Sequence, residues 1–486
     1  AESVEVRLQD LLRQMTLEEK VGQLAHTLGW NYYEKDENGQ VRLTDLFRSD
    51  LKNRYIGCFW ATLRADPWTR KTLRTGLSPR EAAEMTNAMQ RYARDSTRLG
   101  IPLFLAEECP HGHMAIGTTV FPTAIGRAST WNTELEERVA EIVALEARLQ
   151  GGHIGYGPVL DVARELRWSR VEEGYGEDPF LSGSMGSAYV RGLQGGNVGS
   201  GENVIATLKH FTAYGVPEGG HNAGMAHVGV RELLTELSYP FEMAVKAGAL
   251  SLMTAYNEVD GIPCTANPFL TNQLLRDQWG FAGFVVSDLY SIDGLISQRV
   301  AASREEAGIL ALRSGVDSDL GGNCFSTDLV KACREGRLTE ADIDRAVSRI
   351  LRLKFKMGLF DNPYVKVKKA EKLIGTPGHR EVAREVARQS VVLLKNENQL
   401  LPLSKEVKRV AVIGPNADNV YNQLGDYTAP QAPGSVITVL EGIRQKLPGA
   451  EVCYVKGCAV RDTLDTSIGE ACETAKNSDV VVVVLG

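Results

Sequence analysis

Six of the short apolar runs in this chain end in the same way. IPLFLAEE closes on Glu108, IGYGPVLD on Asp161, VIATLKH on Lys209 and His210, LSLMTAYN on Tyr256 and Asn257, and FVVSD on Asp288, while GVDSDL carries Asp317 and Asp319. At least seven such runs are present, separated by long amphipathic stretches such as ELEERVAEIVALEARLQ and LLTELSYPFEMAVKAG. That alternation predicts βα units around a parallel sheet. In a (β/α)8 barrel the carboxyl ends of all strands meet on one face, so polar residues spread from 108 to 319 would converge on one mouth. A strand-ending aspartate can instead cap the helix that follows it, but six recurrences favour the mouth. Asp161 stands apart: VLDVAREL offers it a structural role beside Arg164 and Arg167, and it is left out of the catalytic set.

The chain of 486 residues is too long for one ordinary core, and a large barrel followed by a second domain accounts for the length. The pattern predicts a catalytic barrel over 1–362, opened by helical periodicity and by a capping box at Thr16 and Glu19 that restarts a helix. DNP at 361–363 stops a helix, and a polar, lysine-rich linker follows over 363–378. From 379 to 486 the helix GHREVAREVARQS and the β runs VVLLK, RVAVIG, EVCYVKG and DVVVVVLG, with ITVLEGIRQKL between them, predict the first part of a smaller α/β domain. DVVVVVLG reads as a buried strand, and the sequence stops where it ends. The turn VIGPNAD has neither G-x-G-x-x-G nor a G-K-[ST] ending, which argues against a nucleotide cofactor.

Composition excludes several classes. The hydrophobic fraction of 43%, the charged fraction of 24% and the net charge of −7 belong to a globular enzyme rather than a disordered or fibrous chain. No block of like charge offers itself to nucleic acid, and no segment approaches the ~18 consecutive apolar residues of a membrane span. KVKKAEK at 366–372 reads as a solvated connector. The eight cysteines are dispersed without a C-x2-C pair, so neither a zinc site nor a disulfide scaffold is signalled. His111 and His113 lack a companion ligand at metal spacing, and a structural role is expected of them. The chain begins with Ala1, which fits removal of an export signal as well as trimming.

The residues also carry a resemblance. MTLEEKVGQL, VFPTAIGRASTWN, GPVLDVARELRWSRVEEGYGEDP, LKHF, LMTAYNEVDGIPC, GFVVSD and VVLLKNENQLLPL together resemble glycoside hydrolase family 3, the β-glucosidases and β-xylosidases, over nearly the whole chain. The resemblance implies an α/β protein, a (β/α)8-type barrel followed by an α/β sandwich domain that is incomplete at residue 486. It also implies no metal or organic cofactor, and exo-acting release of a non-reducing terminal sugar with retained configuration. Carried over position by position, it places the nucleophile at Asp288 and the sugar-binding groups at Glu108, Arg170, Lys209, His210 and Tyr256. Arg164 and Arg167 would be ion-paired around Arg170. Lys209, Arg170 and His210 are expected to hold the Asp288 pKa low.

Three departures bear on specificity. Glu108 stands where the family usually has an aspartate that grips the distal hydroxyls, and one extra methylene moves those oxygens by about a bond length. Leu289 replaces a frequent tryptophan, so the aromatic that covers the sugar is unassigned, and Trp168 is expected in the core. GGHN at 219–222 lacks the D-S-H of the N-acetylglucosaminidase branch. The family's acid/base glutamate falls after DVVVVVLG, so no residue of this sequence is given that role. The implied activity is β-D-glucosidase by family frequency, with β-xylosidase and a catalytically silent carbohydrate-binding relative as alternatives. The implied partner is a small-molecule or oligosaccharide β-glycoside, the compartment periplasmic or extracellular, and a homo-oligomer is compatible with both.

Overall fold

A barrel of eight parallel strands surrounds the polar residues singled out above. The strands are β1 (Ala25–Leu28), β2 (Cys58–Trp60), β3 (Phe104–Glu108), β4 (Ile154–Val159), β5 (Ile205–Phe211), β6 (Ser251–Thr254), β7 (Phe284–Val286) and β8 (Asp319–Leu320). The computed structural model describes residues 3–464 and 466–486; Ala1, Glu2 and Asp465 lie outside the described residues. Hydrogen bonding runs in the order β7-β6-β5-β4-β3-β2-β1-β8, and a parallel bridge from Val286 to Ser318 brings the two ends together. β3, β4 and β5 are buried at every position. Strands covered on both faces need continuous apolar runs rather than alternation, which is why these segments read so plainly in the sequence. β1 and β2, of four and three residues, are not among the six runs described above.

The connecting helices follow their local signals. Thr16 accepts from the Glu19 amide at 3.2 Å while the Glu19 carboxylate accepts from the Thr16 amide at 2.9 Å, so the predicted capping box opens the helix Leu17–Leu24. ELEERVAEIVALEARLQ forms the helix Thr133–Leu149. LLTELSYPFEMAVKAG is divided into a π-type segment, Leu233–Leu237, and a helix, Tyr239–Lys246, whose first turn holds Pro240. The proline has no N–H to donate, and the first helical turn is where that loss is tolerated.

The barrel's amino-terminal end is closed by a lysine. Lys354 is fully buried and its ammonium donates to Gln23 Oε1 and to the carbonyls of Gly57 and Pro102, each at 2.8 Å. Those carbonyls lie just before β2 and β3. Nearer the opposite end, Arg127 and Glu136 form a buried pair at 2.8 Å, joined by the Tyr175 hydroxyl.

The chain divides into two compact units, the first Ala1–Val391 with Tyr427–Pro430, the second Val392–Asp426 with Gln431–Gly486. Within the segment expected as a linker, Val367–Leu373 is a helix, and Ala370 and Ile374 pack with Ala83 and Leu149. The second unit has a three-stranded parallel sheet with β9 (Arg409–Ile413) between β10 (Glu451–Val455) and β11 (Val480–Val483). Val410, Val412, Ala417 and Leu440 form its core.

Two expectations need correction here. VVLLK at 391–395 is not a strand; it pairs with no described strand and Leu394 is 91% exposed, because an apolar run becomes a strand only where an edge is available to pair with it. DVVVVVLG does supply β11, but Val481 and Val483 are exposed, so the strand is covered on one face rather than two. Among the described residues, no helix is long and apolar enough to cross a membrane.

Candidate active site

At the carboxyl end of β7 the chain leaves the barrel through Ser287 and Asp288. Ser287 fixes the exit: its amide donates to the Ser318 carbonyl and its hydroxyl accepts from the Leu320 amide, both at 2.9 Å. Asp288 is buried, and its Oδ1 accepts from the Leu289 amide at 2.7 Å. Its Oδ2 makes no well-formed hydrogen bond and lies 3.7 Å from His210 Nε2. Burial pushes this carboxyl up, and Arg170, the Leu289 amide, Lys209 and the Tyr256 hydroxyl pull it back, leaving the pKa at about 6. The sequence predicted a depressed value; the cations are present, but burial outweighs them. Tyr256 is held above its ordinary range by burial and by Asp288, so it stays protonated and serves as a donor.

β5 delivers two adjacent residues to the same mouth. Lys209 is 1% exposed and donates to Glu108 Oε2 at 2.8 Å, while Glu108 Oε1 accepts from the Trp60 indole at 3.2 Å. Burial alone would push Lys209 down, but the Glu108 carboxylate holds it above its ordinary range. His210 Nδ1 lies 2.7 Å from Asp161 Oδ2, and its backbone amide donates to Asp161 Oδ1 at 3.3 Å. Arg170 Nη2 sits 3.0 Å from His210 Nε2. A guanidinium can only donate, so Nε2 is the acceptor and the proton rests on Nδ1, facing Asp161. Burial keeps His210 neutral, well below its ordinary value, and pushes Asp161 up to about 8.

Arg170 is the hub of the cluster. It forks onto Glu173 at 2.7 and 2.8 Å and donates to the Tyr214 and Tyr427 hydroxyls at 3.1 Å each. Burial would lower its pKa, but Tyr427 and Glu173 hold it above the usual range. The Tyr427 ring also stands 4.7 Å from Lys209 Nζ.

The six residues singled out by the resemblance therefore meet. Glu108 touches Lys209; His210 touches Arg170 and approaches Asp288; Tyr256 reaches Asp288. Four partners were not anticipated: Glu173, Tyr214, Trp60 and Tyr427. Asp161 was anticipated beside Arg164 and Arg167, but it holds His210 instead. Arg164 pairs with Glu236 and Arg167 with Glu165, so neither surrounds Arg170. Trp168 is buried against Tyr214 as expected. Aromatic rings bordering the polar groups come from Trp60 and Tyr427, and Trp60 belongs to a cluster with Trp30 and Trp68. Asp317 does not join the mouth; it pairs with Arg276 and Arg349 at 2.7 Å. His111 Nδ1 meets the Phe121 carbonyl at 2.9 Å, and His113 lies 3.8 Å from Glu107.

Carboxylates, a lysine, an arginine and a neutral histidine thus gather at the carboxyl mouth of a parallel barrel, the face on which such barrels carry their sites. The chain belongs to glycosyl hydrolase family 3, matching the family's N-terminal domain over residues 16–353 and its C-terminal domain over residues 391–486. It is 33% identical to a periplasmic beta-glucosidase of Salmonella typhimurium over 98% of this chain and 62% of that protein. It is 40% identical to a beta-xylosidase of Formosa agariphila, over 86% of this chain and 61% of that protein. Among solved structures, a β-glucosidase of Erythrobacter marinus superimposes with a TM-score of 0.88 at 34% identity, covering all of this chain and 65% of that one. The chain thus spans just over three-fifths of the length of these relatives.

Proposed function

We propose that the protein takes part in exo-acting, retaining hydrolysis of β-glycosides with Asp288 as the nucleophile. The observation that carries this reading is the asymmetry of the Asp288 carboxylate: Oδ1 is engaged by the Leu289 amide, while Oδ2 lies 3.7 Å from His210 Nε2 without a well-formed hydrogen bond. Oδ2 would attack the anomeric carbon as the bond to the aglycone oxygen breaks, forming a glycosyl ester on Asp288 that water then opens. Glu108, Lys209, His210 and Arg170 would bind the sugar hydroxyls, and Tyr256 would hold the nucleophile in place. Protonation of the leaving group is assigned to no residue here. The relatives named as β-glucosidases support a terminal glucosyl substrate, and the Salmonella relative's name supports a periplasmic or extracellular location.

A second reading, preference for the pentose, is favoured by one observation. Glu108 is longer than the aspartate usual in the family, and it is held between Lys209 and the Trp60 indole. A longer carboxylate held from both sides would leave less room for the extra hydroxymethyl group of a hexose. The beta-xylosidase of Formosa agariphila accords with it.

The test is covalent trapping. A 2-deoxy-2-fluoro β-glycoside with an activated leaving group needs little acid assistance and slows breakdown of the ester. Mass spectrometry of the treated protein should place one sugar on Asp288, and Asp288→Ala should abolish labelling. A label on Glu108 or Asp161 would overturn the assignment, and a folded chain that binds sugar but is never labelled would support the silent alternative. Running the fluoroglucoside and fluoroxyloside in parallel decides between the sugars.

A further inference from the structure

Behind the nucleophile loop lies a second cluster that the proposed chemistry does not use. Asp293, on the helix Ser291–Ser297 that follows Asp288, faces Asp319, the first residue of β8, and Cys324 from the segment after that strand. One ligand atom from each of the three lies within 4.8 Å of the others. Asp319 is 1% exposed and Cys324 fully buried. Asp319 Oδ2 accepts from the amides of Cys324 and Phe325, at 2.8 and 3.1 Å. Its Oδ1, and Asp293 Oδ2, are buried without hydrogen-bond partners. The other oxygen of Asp293 accepts from Arg304 Nε at 3.1 Å. Gly322 leaves room for the arrangement, since a Cβ there would collide with both orphaned oxygens.

We propose that Asp293, Asp319 and Cys324 form a site for a divalent cation of borderline softness, of the Zn2+ class. Two hard oxygens and one thiolate suit such an ion better than Mg2+ or Ca2+, which favour all-oxygen shells. The charges balance: two carboxylates and a thiolate carry three negative charges, against one on Arg304 and two on the metal. Binding releases the Cys324 thiol proton as the sulfur–metal bond forms. Bond lengths of about 2.0 Å to oxygen and 2.3 Å to sulfur set tetrahedral ligand atoms roughly 3.3–3.5 Å apart, so the three groups draw together on binding. Water fills the fourth position. The bound ion would brace the helix after Asp288 against the end of β8, which already receives the Tyr290 amide on the Leu320 carbonyl at 2.9 Å. This inference stands independently of the glycosidase reading.

Cobalt tests it on the 486-residue chain. After stripping with a chelator, the protein should take up one equivalent of Co2+ with a thiolate-to-cobalt charge-transfer band that Zn2+ displaces, and Zn2+ should raise the melting temperature. Cys324→Ser should lose the band, Asp319→Asn should weaken binding at least tenfold, and Cys472→Ser, at an exposed position, should change neither. Asp293→Asn, at a half-buried position, repeats the test if Cys324→Ser does not fold. No band in the wild-type chain, or a band that survives both Cys324→Ser and Asp293→Asn, would overturn the site.

Discussion

Replacing Glu108 with alanine tests the architecture of the site most directly. Two effects follow, and they can be measured separately. The first is on stability. Lys209 is 1% exposed and its ammonium meets Glu108 Oε2 at 2.8 Å, so Glu108→Ala strands a buried cation. Removing one partner of such a pair costs about 3–5 kcal/mol, which at this chain length lowers the melting temperature by several degrees. The second is on activity. A hydrogen bond to a charged group contributes about 1.5–3 kcal/mol, and the carboxylate offers two oxygens to the sugar, so the loss is about 3 kcal/mol or more. At ~1.36 kcal/mol per decade this is ~10²-fold or more in kcat/KM. The assay is hydrolysis of activated aryl β-glucosides and β-xylosides, with circular dichroism to establish folding. Glu108→Ala/Lys209→Met should recover much of the stability, because both charges are gone, and none of the activity. A folded Glu108→Ala protein with kcat/KM within threefold of wild type would refute the placement of Glu108 in the sugar pocket.

The remaining expectations concern the supporting groups. With Asp288 at about 6, kcat/KM on an activated aryl glycoside should fall as pH drops through that value, because a protonated carboxyl cannot attack; a flat profile between pH 5 and 7 would contradict it. Asp161→Asn can turn an amide N–H toward His210 Nδ1 and favour the tautomer whose Nε2–H opposes Arg170, so kcat/KM should fall about 10–10²-fold with little change in melting temperature. Wild-type kinetics in that variant would show that His210 needs no such support. Lys354→Met should act on stability alone: three buried acceptors lose their donor at about 1–3 kcal/mol each, so the melting temperature drops while aryl hydrolysis by the folded fraction is retained.

The sequence by itself determined the barrel and the residues at its mouth. β3 to β7 are buried on both faces, so their sequences must be continuous apolar runs, and each run ends where the chain leaves the core and polar side chains become tolerable. Asp288, Glu108, Lys209, His210 and Tyr256 were legible from position and motif resemblance together, and the resemblance also supplied Arg170; position alone pointed equally to Asp317, which pairs with Arg276 and Arg349 instead. β1 and β2 were harder to see because four or three residues carry too little pattern, and VVLLK misled because apolar character does not provide a pairing edge. Only the tertiary structure decided how the mouth residues are held. His210 meets Asp161 across 49 residues, Glu108 meets Trp60 across 48, and Arg170 meets Tyr427 across 257. No local pattern encodes such pairings; they depend on which loops the closed barrel brings face to face. The balance at Asp288 is of the same kind, since its neighbouring cations can be named from the sequence, whereas the burial that outweighs them exists only once the barrel has closed around the carboxylate.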